Sequence, residues 1–138
     1  MKRTALLFSL ALTIGIVLGV IGTQALNAQQ APMKRTTLIK TDLAGIEGKE
    51  GMLVLVEFAP GAVTQAHYHS GEELAYLLEG TVNMEVQGKS PITFKPGDTF
   101  HLPPKQIHRV KNLSATVPAK ALTFTIAEKG QPDTVPVK

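Results

Sequence analysis

A chain of 138 residues, 43% of them hydrophobic, is long enough to bury a core, and one domain is the starting expectation. The formal net charge of +3 comes with no basic patch and no basic amphipathic helix, which argues against a nucleic-acid or membrane-surface partner. The absence of cysteine excludes disulfides, thiolate chemistry and cysteine-rich zinc sites, so any metal must be held by histidine and carboxylate.

Met1-Lys-Arg3 is a short cationic segment, followed from Thr4 to Gly22 by an uncharged run of Leu, Ile, Val and Ala. This is the pattern of an export signal over residues 1–28, with small residues offering cleavage after Ala25 or Ala28. The run just reaches the roughly 18 residues that span a bilayer, so an uncleaved anchor is the rival reading. The adjacent small residues favour cleavage, and the expected address is the periplasm or the exterior. Lys2 and Arg3 are the only charges in this segment, so its removal leaves a nearly balanced chain. No membrane contact is expected beyond the signal or anchor.

Residues 29–35 read as a polar, proline-containing linker. Thr36 to Lys40 has the β-branched character of a strand, and Asp42 to Gly51, with three glycines, reads as a loop. Met52 to Phe58 is a strongly apolar run ended by Pro60-Gly61, short enough to favour a buried strand over a helix. After the segment around His67 come Leu74 to Leu78, Val82 to Val86, Ile92 to Lys95, Thr99 to Leu102, Ile107 to Lys111 and Ala121 to Ile126. Gly and Pro punctuate this series, and no helical period interrupts it. The pattern predicts an all-β domain over 36–128, either an antiparallel sandwich or a small closed barrel. The tail 129–138 is expected to be loose at its end.

Two stretches hold all four histidines. In the first, Gly61 to Gly80, His67 and His69 alternate with Tyr68. On an extended strand they point the same way, with Cβ atoms about 7 Å apart, which is chelating geometry. A carboxylate follows at Glu73, and imidazole with carboxylate suits first-row transition metals. Glu72 competes for that role, but the spacing to His69 favours Glu73 and sends Glu72 outward with Leu74 and Tyr76. Ala75 and Leu77 share the Glu73 face and should line a cavity. Gln65 shares the face of the histidines and is the polar candidate for touching a substrate. The second stretch, Gly97 to Asn112, carries His101 and His108 on either side of a Pro103-Pro104 turn. A hairpin there can lay His108 against His67 and His69. Phe58, Phe94, Phe100 and Phe124 are most simply core.

These two stretches resemble the motifs of the cupin superfamily. In the first motif Gly61, His67, His69, Glu73 and Gly80 occupy every fixed place; in the second Gly97, Pro103, His108 and Asn112 do, while Lys105 stands where the family has glycine. The chain is most similar to the small bacterial single-domain cupins. The resemblance implies a jelly-roll β-barrel of six to eight strands holding one divalent transition metal by His67, His69, Glu73 and His108. It leaves the metal open among Mn, Fe, Ni, Cu and Zn. His101 matches no ligand place and reads as a surface residue or one supporting a ligand. A lysine at a left-handed position 105 would cost on the order of 1 kcal/mol, which a domain tolerates.

Three imidazoles and a carboxylate leave open positions on the metal, the mark of a reactive rather than a closed site. The expected function is a metal-dependent enzyme of dioxygenase, isomerase or lyase type acting on a small organic molecule, with Glu73 as the catalytic base. The alternative is a binding module that captures a small ligand or metal without turnover. The resemblance also implies a homodimer, with the strand at Arg35 to Lys40 as the natural edge to add to a partner's sheet.

Overall fold

The computed structural model describes residues 33–137; the export signal expected over 1–28, with its cleavage sites, lies outside them. Ten strands follow in chain order: β1 (Met33–Asp42), β2 (Lys49–Phe58), β3 (His67–His69), β4 (Glu72–Glu79), β5 (Val82–Val86), β6 (Ile92–Phe94), β7 (Thr99–Leu102), β8 (His108–Asn112), β9 (Ala119–Glu128) and β10 (Thr134–Pro136). Among the described residues they form two five-stranded antiparallel sheets, ordered β1-β2-β9-β4-β7 and β10-β3-β8-β5-β6, a double-sheet jelly roll with more strands than the six to eight expected. No helix among the described residues is long and apolar enough to cross a membrane.

Three boundaries differ from the sequence reading. The strand expected from Thr36 begins at Met33, because Met33, Lys34 and Arg35 pair with Phe58, Glu57 and Val56 of β2. Lys49 to Gly51, expected within a loop, pairs with Glu128, Ala127 and Ile126 of β9. The tail expected to be loose supplies β10, which pairs with β3 and covers what would otherwise be an open sheet edge. In each case backbone pairing overrides a polar or glycine-rich composition that carries no strand signal of its own.

The interior is graded along its length. On β9 the inward positions run Ala119, Ala121, Thr123, Thr125, and their β2 partners run Phe58, Val56, Val54, Met52. Ala121 faces Leu77 of β4, and Thr125 faces Glu73. One end of the barrel is therefore a packed apolar core around Phe58, Leu77, Val82 and Met84, and the other is polar. Leu77 is wholly buried, a position that contributes about 2 kcal/mol through area removed from water. Its burial shows why the alternation from Glu73 to Leu77 faces inward as expected, with Glu72, Leu74 and Tyr76 exposed.

Asn112, fully buried at the apolar end, explains its place in the second motif. Its amide donates to the carbonyls of Ala59 at 3.1 Å and Val117 at 2.9 Å, and its Oδ1 accepts from the Ser114 backbone at 3.0 Å. One side chain thus satisfies two loops whose backbone would otherwise be unpaired in the interior. At Gly71, a Cβ would meet the Ile126 carbonyl oxygen at 2.0 Å. Only glycine lets β4 start this close to β9, and this approach sets the register that turns Glu73 inward.

The outer face of the first sheet is also apolar. Leu53, Phe124 and Leu74 lie side by side across β2, β9 and β4, and Leu122 lies beside Tyr76. Phe124, expected in the core, belongs to this outer row because its odd-numbered neighbours Thr123 and Thr125 take the inward positions.

Lys105 has φ of 63°, the left-handed conformation for which glycine is suited. The turn is held by its backbone N–H, which donates to the His69 carbonyl at 2.9 Å. Relief of about 1–2 kcal/mol of strain outweighs the about 0.5–1 kcal/mol that glycine loses in chain entropy. Lys105→Gly is therefore expected to stabilise the protein by about 0.5–1 kcal/mol. Urea unfolding measures this, and a destabilised variant would contradict it.

Candidate metal centre

β3 and β8 run antiparallel with His67 directly opposite His108. Because β3 alternates, His67 and His69 both turn inward while Tyr68 does not. The ring centroids are 5.2 Å apart for His67 and His69, 4.3 Å for His67 and His108, and 5.2 Å for His69 and His108. One nitrogen from each ring falls in a group whose members all lie within 4.8 Å of one another. All three side chains are buried.

The other nitrogen of each ring is held by a backbone carbonyl. His67 Nδ1 lies 2.7 Å from Gln65 O, His69 Nδ1 2.8 Å from Asp133 O, and His108 Nδ1 3.0 Å from Gln106 O. A carbonyl only accepts, so each Nδ1 carries the hydrogen and each Nε2 of a neutral ring is left with its lone pair. For His67 and His108 the acceptor sits two residues earlier on the same strand approach. For His69 it comes from the segment leading into β10, far along the chain.

Glu73 reaches the cluster through His69: its Oε2 lies 2.9 Å from His69 Nε2. That oxygen is buried and makes no hydrogen bond of acceptable geometry. Three converging Nε2 atoms, with a buried carboxylate oxygen reached through His69, are the donor set that a divalent transition metal satisfies once the His69 ring gives up its Nε2 proton. Thr123 Oγ1, Thr125 Oγ1 and Asp133 Oδ1 are likewise buried and unpaired, so the polar character extends along β9 and into the tail.

Burial pushes the His108 pKa down to about 4, against the Gln106 carbonyl that favours its charged form. Burial also lowers that of His67. At His69 burial acts the same way, but contact with the Glu73 carboxylate and the Asp133 carbonyl outweighs it and raises the pKa. Two of the three imidazoles are thus neutral near pH 7 and able to bind metal without first losing a proton. A His whose folded pKa is depressed disfavours the folded state once the unfolded chain takes up the proton. The metal-free protein should therefore lose stability as pH falls from 6.5 toward 4, by up to about 3 kcal/mol from His108. The raised His69 works oppositely, its contribution fading as pH rises. Urea unfolding across that window should give a shallower slope for His108→Leu than for the wild type; parallel slopes would rule out the assignment.

The remaining expected site residues divide. Leu77 lines the chamber that contains the three histidines and Glu73. Ala75 is buried on the same face but is not part of the chamber lining. Gln65 is exposed, because β3 begins only at His67 and the alternation does not extend back to it. Its carbonyl serves His67, and its side chain lines an outer vestibule of about 370 Å³ that shares Met33, Thr64 and His67 with the chamber. His101 is exposed and pairs with Glu72 on the outer face. A larger concavity, about 520 Å³, lies on that outer face against Leu74, Tyr76, Phe124 and His101, away from His67, His69 and His108. Sequence reasoning missed Arg35, Thr64, Thr123 and Asp133. The pair Thr123 and Thr125 carried a signal, since it continues the alternation of Ala119 and Ala121 with polar residues.

A family model described as Cupin domain matches residues 54–125. Over 72 residues the chain is 31% identical to a 3-hydroxyanthranilate 3,4-dioxygenase of Xanthomonas euvesicatoria pv. vesicatoria, covering 50% of this chain and 41% of that protein. Over 95 residues it is 33% identical to auxin-binding protein T85 of Nicotiana tabacum, covering 62% of this chain and 50% of that one. The chain thus spans half or less of the length of these relatives. Among solved structures, a cupin superfamily protein from Desulfitobacterium hafniense superimposes with a TM-score of 0.59 at 20% identity, covering 73% of this chain and 83% of that one.

Proposed function

The chain belongs to the cupin superfamily, and from that premise we propose that it is an exported, metal-dependent enzyme acting on a small organic molecule. The observation that carries the reading is the set of three Nδ1–carbonyl contacts, which turn three Nε2 atoms toward one another. His67, His69 and His108, with Glu73, would hold one divalent ion of Mn, Fe, Ni, Cu or Zn. When bound, such an ion supplies Lewis acidity and open positions for a substrate oxygen or dioxygen.

The chain's own residues would do the rest. The Nδ1 contacts orient the rings before any ligand arrives, so no ordering cost falls on binding. Glu73, with Oε2 unpaired, is placed to accept a proton at that oxygen. Leu77 and the apolar core behind it close the inner end to water. The chamber is narrow, about 30 Å³ before any ion enters it, so a substrate presents only a small head there and keeps its body in the vestibule.

The similarity to an auxin-binding protein favours a second reading, a module that captures a small ligand without turnover. Oxygen consumption and product formation by the metal-loaded protein over phenols, diketones and small organic acids separate the two. Turnover of any member supports the enzyme; saturable binding with none supports the module. We further propose a periplasmic or secreted location, which N-terminal sequencing of the exported protein checks, and a homodimer. β1 is an edge strand of the first sheet, open for pairing, and a monomeric mass by light scattering would contradict the dimer.

A further inference from the structure

We propose that a polar cavity beneath the tail, separate from the chamber of the three histidines, binds one alkali cation, sodium or potassium, which pins the segment between β9 and β10 onto the barrel.

The inward row of β2 runs Phe58, Val56, Val54, Met52 and then loses its apolar character at Glu50, which is only 8% exposed. A carboxylate so sheltered is held by a cation. Glu50 lines a cavity of about 80 Å³ together with Lys40, Thr125, Gln131 and Asp133, and none of the three clustered histidines lines it. Thr125 is 2% exposed, and its Oγ1 has no partner among the described residues. Asp133 Oδ1 is buried and unpaired as well. Carboxylate, hydroxyl and amide oxygens are the ligands of hard cations, not of soft ones. The volume admits such an ion with part of its water, which supplies the remaining ligands.

Charge selects the valence. Asp133 is already met through Oδ2 by Arg35, and Glu50 by the Lys40 ammonium, 3.0 Å from its Oε1. The Lys40 side chain is 52% exposed, so its tip can turn to solvent and leave its place to an ion of the same charge. That exchange keeps two carboxylates balanced by two positive charges, whereas a divalent ion would leave one charge unbalanced. The ion would join three segments, since Glu50 belongs to β2, Thr125 to β9, and Gln131 and Asp133 to the tail. In the same stretch the Pro132 carbonyl accepts from Ser70 and the Asp133 carbonyl from His69, so the pinned segment is the one that holds β3.

The opposing account is that water alone fills the cavity and Lys40 suffices for Glu50. Thermal melting of the full chain in sodium, potassium and choline chloride at equal ionic strength distinguishes the two. Choline screens charge equally, but its methyl groups keep oxygen ligands away from the nitrogen. The wild type should melt at a higher temperature in sodium or potassium chloride than in choline chloride, with a rise that saturates. Thr125→Val, which keeps the shape and removes the hydroxyl, should lose most of that difference. Lys40→Met removes the competing ammonium and should reach half of its rise at an about two- to fivefold lower concentration, the weight of an exposed ion pair. Equal melting of the wild type in the three salts overturns the proposal, as does a difference that Thr125→Val retains in full. A larger rise in calcium chloride at the same ionic strength overturns the assignment to an alkali ion. Should Thr125→Val fail to fold, Glu50→Gln takes its place, with the same loss expected and the same retention counting against the site.

Discussion

Replacing His69 with alanine is expected to strip the protein of its metal. Loss of a residue that merely supports a ligand costs about 10–100-fold in metal affinity, so loss of a direct donor should cost more, on the order of 1,000-fold, or about 4 kcal/mol. His69 is the most consequential of the three because it joins every part of the site. Its Nε2 is against Glu73 Oε2, its Nδ1 is held by Asp133 O, and its own carbonyl receives the Lys105 N–H. The backbone contact at Lys105 survives the substitution, so the fold should persist while the metal is lost. Elemental analysis of the protein purified without added metal provides the measurement. Equal metal content in the wild type and His69→Ala would falsify the centre.

Deleting residues 132–138 should weaken metal binding by about 10–100-fold although it removes none of the four donors. The tail holds β3 at several points. Thr134, Val135 and Pro136 pair with His69, Tyr68 and His67, the Val137 N–H donates to Ala66 O at 2.9 Å, and the Ser70 hydroxyl donates to Pro132 O at 2.7 Å. Without it His69 loses the acceptor that fixes its tautomer, β3 becomes an open edge, and Arg35 loses its partner. Stability should fall as well, so metal affinity is to be compared at a temperature where both proteins are folded by circular dichroism. Metal binding unchanged by the deletion would show that β10 is an appendage.

The three histidines that converge were legible in the sequence in part through short-range periodicity, while the ligand set that adds Glu73 was implied by the cupin resemblance. His67 and His69 are two apart on one strand, Glu73, Ala75 and Leu77 alternate along the next, and His108 stands at a fixed distance after its proline turn. The inward and outward assignments of Glu73 and Glu72 follow from the same period of two. What was not legible is what arrives from far along the chain. Asp133 sits in a Gln-Pro-Asp-Thr run that reads as a surface turn, and its function depends on pairing with a strand more than sixty residues earlier. Arg35 falls at the boundary between the linker and the first strand, because Met33, Lys34 and Arg35 carry no strand pattern of their own; β2 supplies it by pairing. Gln65 failed for the complementary reason, since the period was extended beyond the end of the strand that justified it.

The position of β10 also orders events in time. A chain emerging from its N-terminus presents His67, His69 and Glu73 well before His108, and the acceptor for His69 appears later still. Pairings between strands so distant in sequence form slowly, because loop closure precedes any gain from contact. A chain that has not yet reached β10 carries all three histidines and Glu73 but lacks the acceptor that fixes the His69 ring. Tight metal uptake is thereby deferred until β10 has paired with β3, and that strand acts as the latch that makes the centre complete.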